Sequence, residues 1–204
     1  MNINWQSARD LRIPAAGKVA RVIGVLPDSI ITENLSEEIT VDEEIAVADA
    51  GRDILKMAVM ERHLASGNVG LGFVKGFGLK RGALGSSVAH DSHNVIVIGT
   101  NGADMLVAAR EVERMRGGLV VVEEGNVQAA LPLPVAGLMS DRPYEEVNVD
   151  LKALLDAAHE LGSDLHDPFM TLSFLALPVI PALKLTDKGL VDVTQFRFVP
   201  LFED

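Results

Sequence analysis

The chain has 204 residues and a formal net charge of −11, with 48% hydrophobic and 23% charged residues and no cysteine. That length is enough to bury a core, and the composition excludes a disordered chain. The missing thiols exclude disulfides, thiolate zinc sites, iron–sulfur clusters and cysteine nucleophiles, while the acid excess and 4% aromatics oppose a nucleic-acid stacking surface.

Residues 19–26 (VARVIGVL) alternate and are rich in β-branched side chains, which predicts a strand. Pro27-Asp28 reads as a turn and residues 30–32 as a second strand. Residues 54–61 (ILKMAVME) are a further strand candidate, and 94–99 (NVIVIG) a short buried one. Thr100 or Asn101 can cap the helix that follows, whose Met105, Ala108, Ala109, Val112 and Met115 share a face, with Gly117-Gly118 as its stop. Residues 119–122 and 127–131 then form a hairpin turned at Glu124-Gly125-Asn126. A second helix spans 144–161, with an apolar stripe of Leu151, Leu154, Leu155, Ala158 and Leu161. Pro168 starts a third that runs to Leu175. A last hairpin joins 184–186 to 191–199. These elements predict one domain over residues 1–204, of mixed α+β class, with a mixed sheet and packed helices. No apolar run approaches the ~20 residues of a membrane helix. The opening MNINWQSARDLR lacks a signal peptide's apolar stretch, so a cytoplasmic chain with no membrane or nucleic-acid partner is expected.

The charge is uneven. From Asp28 to Glu61 there are ten acids and two bases; from Arg62 to Gly82 there are four bases (Arg62, Lys75, Lys80, Arg81) and no acid. The acidic block suits a solvated hairpin edge, and the basic block either a loop or a face toward an anion. Six glycines between Gly70 and Gly85, among them Gly70, Gly72, Gly76 and Gly78, suit a tightly packed hairpin or an anion-cradling loop at a ligand edge. Neither a phosphate loop nor a dinucleotide fingerprint is present.

The densest polar cluster is SSVAHDSHN, residues 86–94, just before a buried strand, where α/β proteins place reactive loops. His90 and His93 with Asp91 form a thin metal-ligand set, weaker than a full metalloprotease motif; otherwise they are structural, with Ser87 and Asn94 capping turns. A serine triad lacks its nucleophile elbow. Glu61-Arg62-His63 at a strand end either orients a ligand or forms a structural ion pair.

SSVAHDSHN followed by VIVIGTN, with GNVGLGFVKGFGLKRGA before and LPLPVAGLMSD and DPFMTLSFLALPVIPALKLTDKGLVDV after, resembles the C-terminal domain of bacterial adenine deaminase. The resemblance runs from about Asn4 to Phe202. It implies part of a purine-salvage hydrolase of the amidohydrolase superfamily, which converts adenine and water to hypoxanthine and ammonia. The manganese or iron of that family sits in an N-terminal (β/α)8 barrel, where it makes a hydroxide nucleophile at neutral pH. Such a barrel takes ~250 residues. This chain is therefore expected to carry no metal, to be inactive alone, and to have the barrel and further copies of itself as partners. The resemblance further implies that the glycine loop and the AHDSHN loop, residues 89–94, face the barrel's active site; Ser87, His90, Asp91, His93, Asn94, Glu61, Arg62 and His63 are the candidates to lie near substrate or to support the groups that do. The alternative is a free-standing purine- or anion-binding module.

Overall fold

The computed structural model describes residues 1–203. Helix α1 (Trp5–Ala8) and β1 (Ile13–Pro14) lead into β2 (Val19–Val25) and β3 (Thr32–Glu38). Short β4 (Val41–Asp42) and β5 (Ile45–Ala46) precede β6 (Ile54–Met60), β7 (Val69–Lys75), β8 (Ala83–Ser86) and β9 (Val95–Gly99). Then come α2 (Gly102–Arg114), β10 (Gly118–Glu123), β11 (Asn126–Pro132), α3 (Tyr144–Glu160) and α4 (Pro168–Phe174). The strands β12 (Leu183–Thr186), β13 (Gly189–Asp192) and β14 (Arg197–Phe198) close the chain.

Eight strands form one sheet in the order β11-β10-β8-β9-β6-β7-β2-β3. All neighbours are antiparallel except β2 and β7, which makes the sheet mixed and the fold α+β. Both faces of the sheet are covered. On one, Met105, Ala108, Ala109 and Val112 of α2 pack on Ala58, Val97, Val120 and Val122. On the other, α3, α4 and the β12–β13 hairpin pack on Leu55, Met57, Val59, Ile96 and Ile98. Two-sided burial explains why β9 reads as an unbroken apolar run and β6 as one broken only by Lys56.

The caps follow the expected chemistry. Asn101 accepts the Asp104 N–H at 2.8 Å to start α2, and Asp167 accepts the Met170 N–H at 2.8 Å to start α4. Glu124 and Gly125 both have positive φ, 50° and 76°, as the tight β10–β11 hairpin requires.

Two expectations are corrected. Residues 30–32 are not a strand. Ile31 is turned by its N–H to Ser29 Oγ at 3.1 Å, and Ile30 and Ile31 are exposed; the strand is β3, which starts at Thr32. It is the sheet edge, and its Glu33, Glu37 and Glu38 keep that edge from pairing with another chain. Nor is the glycine-rich stretch one loop. Gly70 and Gly72 lie inside β7, Gly85 lies inside β8, and only Gly76, Gly78 and Gly82 fall in the connection between those strands.

Candidate functional site

Register gathers the polar segments at one end of the sheet. Met60 at the end of β6 pairs with Val69 and Val95, the first residues of β7 and β9. Ser86 at the end of β8 pairs with Leu119, and Gly118 with Pro132. The connections 61–68, 87–94 and 133–139 therefore share one end. The turn with Gly76 and Gly78 lies at the other, about 20 Å away along a seven-residue strand. The histidine loop and the glycine turn are not brought together.

Arg62 ties the gathered segments. Its Nε donates to the His93 carbonyl, and its Nη2 donates to the Ala136 carbonyl at 2.9 Å. Gly137 has φ of 75°, and a Cβ there would lie 2.8 Å from Arg62 Nη1. His63 Nε2 donates to the Ser92 carbonyl at 2.7 Å. The His93 Nδ1 accepts the Ala89 N–H at 3.3 Å, so the neutral ring carries its proton on Nε2. Burial, then the His90 ring and the Arg62 charge, hold His93 below the ordinary imidazole value, so it is neutral at pH 7. These groups, with exposed Asp91 and with Arg116, line a cleft of about 640 Å³.

The other candidates are tied into the scaffold. Ser87 is fully buried; it accepts the Gly118 N–H at 2.8 Å and donates to the Gly137 carbonyl at 2.6 Å. Asn94 Nδ2 donates to Asp187 Oδ1 at 3.2 Å, and Asn68 holds the second oxygen of that carboxylate at 3.0 Å. Asn94 Oδ1 is buried with no partner among the described residues. His90 stacks on Phe174 at 4.7 Å, with its centroid 5.5 Å from that of His93. Among the described residues no three histidine or carboxylate groups converge as ligands. The donors present do not fit a divalent cation.

Glu61 turns away from the cleft. Its carboxylate accepts the N–H groups of His63, of Leu64 at 2.8 Å and of Ser66 at 2.9 Å, with the Ser66 hydroxyl at 3.0 Å. Burial opposes the charge, but these donors outweigh it and hold the carboxyl at about 2. A folded-state value below the unfolded one stabilises the fold above about pH 4.5, and that stability is lost as pH falls toward 2. Glu61→Gln is expected to remove about 2–3 kcal/mol at pH 7 and little near pH 2, read by urea unfolding across pH. A pH-independent difference would refute this clasp.

The acid and glycine expectations resolve at the far end. Gly76 and Gly78 donate their N–H groups to Asp53 at 2.9 and 2.8 Å, so the anion in that turn is the chain's own carboxylate. An acidic cleft of about 510 Å³ opens beside it, lined by Asp28, Asp164, His166 and Asp167 among others. Sequence reasoning did not single out Arg116, Ala136, Gly137 or Asp187 as site residues. A glycine and a proline-flanked LPLPVAGLMS segment were the visible signals for the second and third.

The family model described as adenine deaminase C-terminal domain matches residues 29–197. Curated relatives named adenine deaminase are similar along nearly the whole chain. The relative from Desulfatibacillum aliphaticivorans is 54% identical over 95% of this chain and 34% of its own length. That from Methanothrix thermoacetophila is 53% identical over 99% of this chain and 36% of its own. That from Dehalococcoides mccartyi is 49% identical over 98% and 35%. The chain thus spans about a third of the length of the curated relatives it matches.

Proposed function

Because the chain belongs to the adenine deaminase C-terminal domain family, we propose that it serves as the metal-free domain of a cytoplasmic, purine-salvage adenine deaminase. It packs on a barrel that carries manganese or iron and lines the mouth of that barrel's active site. Alone it is inactive, and the assembled enzyme is an oligomer. One observation carries this reading: similarity at half identity runs along 95% or more of this chain yet covers only a third of each relative.

The face toward the barrel is the gathered end. Its Arg62, His63, Asp91 and His93 border an open cleft, whereas Ser87, Asn94 and Glu61 hold the loops that present them. In this arrangement His63 and His93 position substrate or loops, and the hydrolytic water belongs to the barrel's metal. No helix of the described residues is long and apolar enough to cross a membrane.

A chimera tests the proposal. This chain replaces the matching third of the Desulfatibacillum aliphaticivorans relative, and ammonia release from adenine is followed with manganese or iron supplied. The chimera is expected to deaminate adenine, and the 204-residue chain alone to release none above background. Deamination by the chain alone at an enzyme-like rate, or a folded chimera that is inert, overturns the proposal.

A further inference from the structure

Arg62 is a buried guanidinium with no counter-charge among the described residues. It is 8% exposed, and no ion pair among the described residues includes it. Neutral carbonyls take its Nε and Nη2. Its Nη1 has no hydrogen-bond partner among the described residues and is not sealed off from solvent. A buried charge left unpaired is costly, because carbonyl dipoles replace only part of its hydration.

The surroundings point the same way. Arg116 lines the same cleft, is exposed and makes no ion pair among the described residues. The His63 and His93 rings line it too. Among the described residues the one carboxylate on the lining is Asp91, which is exposed and pairs with neither arginine. Elsewhere in the basic block, Lys75 is paired with Glu37 and Arg81 with Glu123, while Lys80 is exposed to solvent. The glycine turn holds Asp53. On a chain of net charge −11, this cleft brings two arginines with no ion pair among the described residues onto one lining.

We infer that this cleft binds a phosphate-type oxyanion, set against Arg62 Nη1 and Arg116, with the protonated Nε2 of His93 as a further donor. Guanidinium groups bind such oxyanions through charge-assisted hydrogen bonds. The inference stands apart from the docking proposal, since it concerns the chain by itself, and its failure would leave the chimera experiment untouched.

The test uses the 204-residue chain and inorganic phosphate. Thermal unfolding is followed by Trp5 fluorescence, in phosphate against chloride at equal ionic strength, because general screening would act alike in both. Phosphate is expected to raise the midpoint and chloride not. Arg116→Gln is expected to weaken phosphate binding roughly tenfold, with the unfolding midpoint in chloride unchanged. Arg62→Met abolishes the effect; should that variant fail to fold, Arg116→Gln still decides. Phosphate-induced amide shifts in NMR spectra of the parent chain should centre on His63, Ser92, His93 and Gly137. Equal midpoints in phosphate and chloride, undiminished binding by Arg116→Gln, or shifts centred on Gly76 and Gly78 would each overturn the site.

Discussion

Gly70→Ala is expected to destabilise the fold by roughly 3 kcal/mol or more, while Gly72→Ala, two residues along the same strand, costs less than about 1 kcal/mol. The two glycines differ in what lies above them. A Cβ on Gly70 would stand 1.9 Å from the Thr186 carbonyl oxygen and 3.0 Å from its carbon. Both are backbone atoms, so no rotamer change relieves the clash. The β12–β13 hairpin would have to lift off β7, and with it Leu183, Leu185 and Leu190, which are buried in the core beneath. A Cβ on Gly72 meets the Leu185 side chain at 3.5 Å, an ordinary contact. Urea unfolding of the two variants measures the contrast, and hydrogen exchange locates it. In Gly70→Ala, protection should fall first in β12 and β13. Similar stabilities for both variants would show that the hairpin does not lie against β7 as described.

That contrast also shows why the glycine-rich stretch was hard to read from sequence. A strand normally announces itself by apolar alternation, and VGLGFVK has glycine at two of the positions that would carry it. The glycines are there because a second layer crosses the strand, and that layer comes from residues more than a hundred positions later. Nothing local signals it. By contrast, β9 and α2 were legible because their burial is encoded locally, in VIVIG and in the 105, 108, 109, 112 spacing behind a capping Asn101. The candidate site divides the same way. The polar density of residues 86–94 was plain, and the trio 61–63 stood at a strand end. Their meeting through Arg62, His93 and Ser92 depends on the β6–β9 register. The separation of the glycine turn from the histidine loop depends on the direction of β7, which spacing along the chain does not reveal. Arg62 illustrates the limit: its residue type is visible as one base in a basic block, but that it lacks a counter-charge among the described residues while Lys75 and Arg81 have one appears only in the folded chain.

Lys184→Met is expected to stabilise the fold by roughly 2–3 kcal/mol at pH 7, with the gain shrinking through pH 8 to 10.5. Lys184 is fully buried in β12, and its Nζ donates to the Ile30 carbonyl at 2.9 Å. No ion pair among the described residues includes it. Burial alone pushes its ammonium down to about 8. Below pH 8 the lysine is charged in both states, so the folded chain bears the whole cost of burying the charge. Between pH 8 and 10.5 the unfolded chain still holds the proton that the folded chain releases. Stability of the parent therefore rises with pH across that window. Methionine fills the same volume without the charge and has no proton to lose. It gives up the bond to Ile30, but Ile30 is exposed and water can replace that donor at a cost of about 1 kcal/mol. The difference between variant and parent isolates this one group, because every other alkaline titration is common to both. Denaturant unfolding at pH 7, 9 and 10.5 measures it. A variant less stable at pH 7, or a difference that stays constant to pH 10.5, would mean that the Lys184 ammonium has a partner or water that burial against Ile30 does not provide.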